Sequence, residues 1–121
     1  MQNWEAQRDR LLKHAQGHYA RSLKLMHSED PQLSEDGFHL LMPIAADHVD
    51  ELIEEYRRDD SHRYWLLELI ADARSPRAFD VLVEALDHEY EWYRSRAEGG
   101  LRDLGTTEAR RLLFERGLRT R

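Results

Sequence analysis

SPRAFDVLVEAL, Ser75 to Leu86, returns as TTEARRLLFERG, Thr106 to Gly117, at an offset of 31 residues. The match is chemical as well as literal. A hydroxyl that caps a helix, Ser75, meets another, Thr106. Ala78 meets Ala109, Val81 meets Leu112, Leu82 meets Leu113, Val83 meets Phe114 and Glu84 meets Glu115. Upstream, Arg63 meets Arg94 and Ile70 meets Leu101. A weaker copy lies at an offset of 30, where Leu52, Ile53 and Glu54 precede Leu82, Val83 and Glu84.

Working outward, nearly every segment carries helical periodicity and none alternates with period two for long enough to make a strand. Trp4, Leu11, Leu12, Ala15, Tyr19, Leu23 and Met26 form one stripe. They predict a single long helix over 4–26, weakened at Gly17. The polar stretch His27 to Gly37 reads as a loop. Ser34 is expected to cap a short helix ending at Leu41, before Pro43. A helix is expected over 46–56, then a turn over 57–61, with Asp60 or Ser61 capping the helix of Tyr64, Trp65, Leu67, Leu69 and Ile70. Ser75-Pro76 starts the next helix, to about Leu86. Another spans about 89–104 and ends at Gly105. Thr106 caps the last, which reaches about Arg116.

A repeat of about 30 residues holding two helices indicates an α-solenoid, because one hairpin cannot bury its apolar face alone. The expected fold is therefore all-α: an α-solenoid of about three helical hairpins in a single domain over 1–121. Residues 1–33 are the N-terminal helical cap, 34–59 a degenerate repeat, and 60–87 and 88–121 full repeats. Mid-helix Gly99-Gly100 implies the close approach of a neighbouring helix.

The motif residues resemble the short HEAT-type repeats of the phycobilin-lyase family. Arg94, Ala97, Leu101, Leu104-Gly105, Glu108-Ala109 and Leu112-Leu113 carry the likeness in one copy. Arg63, Ile70, Ser75-Pro76-Arg77-Ala78 and Val81-Leu82 carry it in the other. The resemblance covers about residues 46–117 and is best over 60–117. It implies a helical repeat fold, and as one alternative role an accessory subunit of a bilin lyase or similar enzyme.

Composition narrows the chemistry. There is no cysteine, hence no disulfide, no thiol catalysis and no Cys-type zinc site. No apolar run approaches the roughly 20 residues of a membrane span, and the amino terminus lacks a secretory pattern, so a cytoplasmic protein is expected. The 18 basic and 24 acidic residues leave a net charge of −6, which disfavours nucleic acid and anionic membrane. His14 and His18 share a helical face, but no third ligand follows at a matching spacing. His88-Glu89 is one pair where a di-iron site of the HEAT-repeat hydroxylase type needs several. No catalytic or metal set stands out; no enzyme activity and no cofactor are expected.

Two surface features remain as candidate partner-binding residues. One is a ladder of acids on the second helices of successive hairpins: Asp50, Glu54 and Glu55, then Asp80, Glu84 and Asp87, ending at Glu115. Like charges at equivalent positions repel unless a partner neutralises them, with Arg111 relieving the last step. The other is the aromatic run Tyr90, Trp92 and Tyr93, which one helix cannot turn wholly inward. The expected function is non-catalytic binding of a protein with a basic surface, as an immunity-type inhibitor masks a basic toxin domain. The further alternative is a homo-oligomeric scaffold, and the expected state is monomer or weak dimer.

Overall fold

A computed structural model describes residues 3–58 and 61–118. Among the described residues the chain is all-helical, with no strand. It divides into two compact units, Met1–Ala45 and Ala46–Arg121.

The first unit holds α1 (Trp4–Ala15), α2 (Tyr19–Met26) and α3 (Pro31–Leu41), each packed on the other two. The single long helix expected over 4–26 is two helices. Gly17 adopts φ +73, a left-handed conformation that ends α1 rather than merely weakening it. His18 then caps α2, its Nδ1 accepting from the Arg21 backbone N–H at 3.2 Å. The loop expected over 27–37 is mostly α3. Asp30 accepts from the N–H groups of Gln32 and Leu33, and Pro31 fills the first turn. Ser34 is not the cap. It lies buried within α3 and donates to the Met26 carbonyl at 2.6 Å, as Ser22 donates to Ala15 at 2.9 Å. Both hydroxyls satisfy carbonyls left open at the end of the preceding helix.

α3 crosses the end of α2 at Gly37, where an added Cβ would overlap the Met26 backbone N and lie 2.7 Å from its Cα. Arg8 of α1 clamps Asp36 of α3 through two hydrogen bonds, at 2.7 and 2.9 Å. Residues 34–41, read as the start of a degenerate repeat, thus pack with the N-terminal helices. A 3-10 segment, Met42–His48, follows α3 where Pro43 offers no backbone donor.

The second unit holds α4 (Val49–Arg58), α5 (Arg63–Asp72), a 3-10 turn (Pro76–Ala78), α6 (Phe79–Ala85), α7 (Glu91–Leu104) and α8 (Thr107–Glu115). Asp60 lies outside the described residues; His62 occupies the position before α5 and supplies no side-chain cap. Ser75 caps the 3-10 turn through the Arg77 N–H, and Thr106 caps α8 through the Ala109 N–H. Gly105 ends α7 at φ +64.

α4 packs on α5, α5 on α7, and α7 on both α6 and α8. α5 buries Leu66, Leu67, Leu69, Ile70 and Ala71, on more than one side, as the interior helix of this unit must. Register is visible in paired residues. Tyr64 meets Trp92, Glu68 meets Arg96, and Ala71 meets Gly100. The three pairs advance together, so α5 and α7 run parallel, side by side. Asp50–Arg77 and Arg57–Glu84, each 27 residues apart, align α4 with the Arg77–Ala85 stretch in the same way.

The glycines give a paired test. Gly99 has only Arg96 Nη1 within reach of a Cβ, at 3.5 Å, whereas a Cβ at Gly100 would meet Ala71 Cβ at 3.0 Å and Leu82 at 3.2 Å. Gly99→Ala is expected to stabilise by up to about 1 kcal/mol through helix propensity. Gly100→Ala gains the same propensity against overpacking of about 1–3 kcal/mol, and is expected to be net destabilising. Gly37→Ala, against backbone that cannot yield, is expected to cost more than either. Urea midpoints of the three variants check the order.

Candidate functional site

The second unit carries 18 acidic and 13 basic residues, a net of −5, against 6 and 5 in the first 45. Nearly all the excess charge of the chain therefore lies in residues 46–121. The fold distributes it differently from the ladder expected above. Asp50 is paired with Arg77 at 2.8 Å. Glu84 receives both Nη groups of Arg57, at 2.8 and 3.2 Å. Asp87 receives those of Arg116, at 2.9 and 3.4 Å. Glu55 pairs with Arg58 in its own helix at 2.9 Å.

Columns of like charge are thus a misreading for these positions. The neutralising groups are arginines of the same chain, reaching from one helix to the next. Arg57, read as part of a turn, lies in the last turn of α4 and bridges to α6. Arg116 answers Asp87. Glu54 and Asp80 are exposed and form no ion pair among the described residues, and Glu115 and Arg111 are exposed on α8.

These bridges perturb the carboxylates. The hydrogen bond from Arg57 holds Glu84 below its ordinary value, and the one from Arg116 does the same to Asp87. In the first unit Arg8 lowers Asp36 likewise, with Gln32 adding a bond at 3.3 Å.

The aromatic run is drawn together more tightly than the spacing implied. Trp92 stacks on Tyr64 with centroids 3.5 Å apart and planes 28° apart. Tyr93 stacks on His88 at 3.8 Å, with ring planes nearly parallel at 5°. Trp92 and Tyr93 meet edge to face at 5.5 Å. Tyr90 lies 6.3 Å from Tyr93 and is 62% exposed; Tyr64 is 45% exposed. Burial pushes the Tyr93 phenol up, and that of buried Tyr56 as well.

Tyr64 is the residue that sequence reasoning missed. It is expected on α5 with Trp65, Leu67, Leu69 and Ile70, whereas its pairing with Trp92 is not. Four residues further along the chain, Glu68 also points towards α7 and pairs with Arg96 at 2.8 Å. That pair of positions was the available signal.

Two arginines hold the turns on which these rings sit. Arg63 Nε donates to the Tyr56 carbonyl at 3.0 Å, with its guanidinium 4.6 Å from the Tyr56 ring. Arg94 Nη1 donates to the carbonyls of His88 at 2.7 Å and Glu89 at 2.9 Å. Both satisfy open carbonyls at the end of the preceding helix or turn. His88 Nδ1 accepts from the Tyr90 N–H at 3.1 Å.

Among the described residues no group of three or more His, Asp and Glu side chains is placed to hold a metal ion. His14 and His18, expected on one continuous helix, are separated by the break at Gly17, and His18 serves as a cap. No described helix is long and apolar enough to cross a membrane. No protein-family model matches the chain, and neither a curated protein nor a solved structure matches it.

A carboxylate held below its ordinary value binds its proton less readily when folded than when unfolded, so its contribution is complete above the ordinary range. It is lost as pH falls through the depressed value. The urea midpoint is therefore expected to fall on acidification below the ordinary 3.8 of aspartate and 4.5 of glutamate. Glu84→Gln should flatten that acid limb. A double-mutant cycle on Arg57 and Glu84 should give a coupling of at most about 1 kcal/mol, since both side chains are largely exposed, and salt should reduce it.

Proposed function

We propose that residues 46–121 are a HEAT-like stack of hairpins that binds a protein with a basic surface. The class of role is that of an immunity-type inhibitor covering a basic toxin domain. The observation that supports it is the stacked Tyr64–Trp92 pair together with exposed Tyr90, within a segment of net charge −5.

Large aromatic side chains at fixed positions are the commonest anchors of protein interfaces. Here the Tyr64–Trp92 stack and the Arg94 clamp on the 88–89 turn fix the rings before any partner arrives, so little side-chain entropy remains to be lost. The acids contribute differently. Those bridged to arginine are already neutralised in part. Exposed Glu54 and Asp80, with Glu89 and Glu91 beside the rings, supply the field that steers a basic partner.

The test is complex formation at low salt between the full chain and the product of the adjacent reading frame. Tyr90→Ala is expected to weaken the complex by about 2 kcal/mol or more, roughly 30-fold, while leaving the urea midpoint near its starting value. Glu54→Lys with Asp80→Lys should slow association and flatten its salt dependence, with a smaller effect on dissociation. Absence of a complex, or a complex indifferent to Tyr90, removes the reading.

A second reading, a homo-oligomeric scaffold, rests on Phe114. Its counterparts in the internal repeat, Ile53 and Val83, are half-buried, whereas Phe114 is 78% exposed. If a second copy covers it, sedimentation equilibrium will show a mass that rises with concentration, and Phe114→Glu will abolish the rise. A constant monomer mass for the unaltered chain excludes this.

A further inference from the structure

The surface of α1 and α2 has a character unlike the acidic remainder of the chain. A cavity of about 740 Å³ runs along α1, lined by Trp4 and Leu11 among others. A second, of about 590 Å³, lies between α1 and α2 and adds Leu25. Leu11 and His14 line both, so the two form one groove. Its apolar members are open to solvent: Trp4 is 45% exposed and Leu11 42%.

The polar members are of one sign. Arg10 and Lys13 line the first cavity, Arg21 and Lys24 the second, and among the described residues no Asp or Glu lines either. All four cations are exposed, and none forms an ion pair among the described residues. This contrasts with Arg57, Arg77 and Arg116, each of which is matched to a carboxylate. Four unmatched cations around an apolar floor, in a chain of net charge −6, form a site whose complement is anionic on its edges and apolar on one face.

We propose that this groove docks an acidic amphipathic helix of a partner protein, with its leucine-type face on Trp4, Leu11 and Leu25 and its carboxylates against the four cations. Helix-in-groove recognition has this form. α1 has 12 residues, about 18 Å at 1.5 Å per residue, so three to four turns of a partner helix match its length. The proposal is independent of the aromatic surface of residues 46–121.

The probe is a fluorescein-labelled synthetic helix of leucine and glutamate, with all leucines on one face, titrated into the full chain and read by anisotropy. Binding is expected, weakening as salt shortens the screening length. Arg10→Glu with Lys13→Glu should reduce affinity at least about tenfold, and Leu11→Asp should also reduce it. Circular dichroism confirms that the variants remain folded, as expected for exposed positions.

A control pair, Arg74→Glu with Arg111→Glu, makes the same charge change in residues 46–121, and binding should be unchanged. Four outcomes overturn the proposal. They are no binding; equal binding of a scrambled peptide of the same composition; equal loss from the control pair; or binding of phosphatidylglycerol vesicles, sensitive to Arg10 and Lys13, in place of the peptide.

Discussion

Between α5 and α7 there is no room for one more carbon atom. A Cβ on Gly100 would sit 3.0 Å from the Cβ of Ala71, tighter than ordinary side-chain contact. Two helices that meet at small residues are held at one separation and one register, because sliding either brings a larger side chain to the contact. Two surface features of the second unit follow from that register. Glu68 faces Arg96 one turn away, and Tyr64 faces Trp92 a turn beyond. Shift α7 by one turn and the stack and the ion pair are lost together. The energetic order is clear as well. The interior of α5 alone buries three leucines and an isoleucine, each worth about 1.5–3 kcal/mol. A surface ion pair contributes under about 1 kcal/mol. Packing sets the register, and the charges are arranged to agree with it.

The arrangement of those charges answers a problem that parallel packing creates. When helices of one layer run side by side in the same direction, equivalent positions become neighbours, and a repeated sequence places like charge against like. Near the C-terminal ends of three helices the sign alternates. Arg57 lies in the last turn of α4, Asp87 follows α6 and Arg116 follows α8. Arg57 reaches Glu84, 27 residues on, and Asp87 receives Arg116, 29 residues on. At the other end of α4 the order is reversed, with Asp50 receiving Arg77.

The all-α class was legible because periodicity is dense and caps are explicit. Ser75-Pro76, Gly105 and Thr106 each act as their residue type dictates. The errors in the first 45 residues come from the same rules applied unevenly. Asp30-Pro31 is a capping side chain followed by proline, as is Ser75-Pro76, yet its polar neighbours made it resemble a loop. Gly17 stands where a left-handed residue ends a helix, but an apolar stripe continuing beyond it suggested one rod. Gly37 could not be interpreted from sequence, since its reason is the Met26 backbone arriving from another helix. The acidic residues were found, and their partners were not. Matching at the repeat offset places like on like, whereas long arginine side chains reach diagonally, a turn short of the equivalent position. Tyr64 was lost for a related reason. Its outward stack depends on Trp92, and that contact exists only once α5 and α7 are parallel.

Fold leaves function open, since packed helices are scaffolds on which unrelated surfaces are displayed. What discriminates is which side chains are kept in place without contributing much to the core. Tyr90 is 62% exposed, and its neighbours are acids, so its ring gains little from burial. Its backbone is nonetheless held: its N–H donates to His88, and Arg94 fixes the turn through two carbonyls. An arginine that satisfies two turn carbonyls and a histidine that stacks on Tyr93 together hold a turn whose outer surface is aromatic. The ordering has been completed on folding. Under the proposed reading, a partner would meet a turn already ordered, within a segment of net charge −5 that favours basic surfaces.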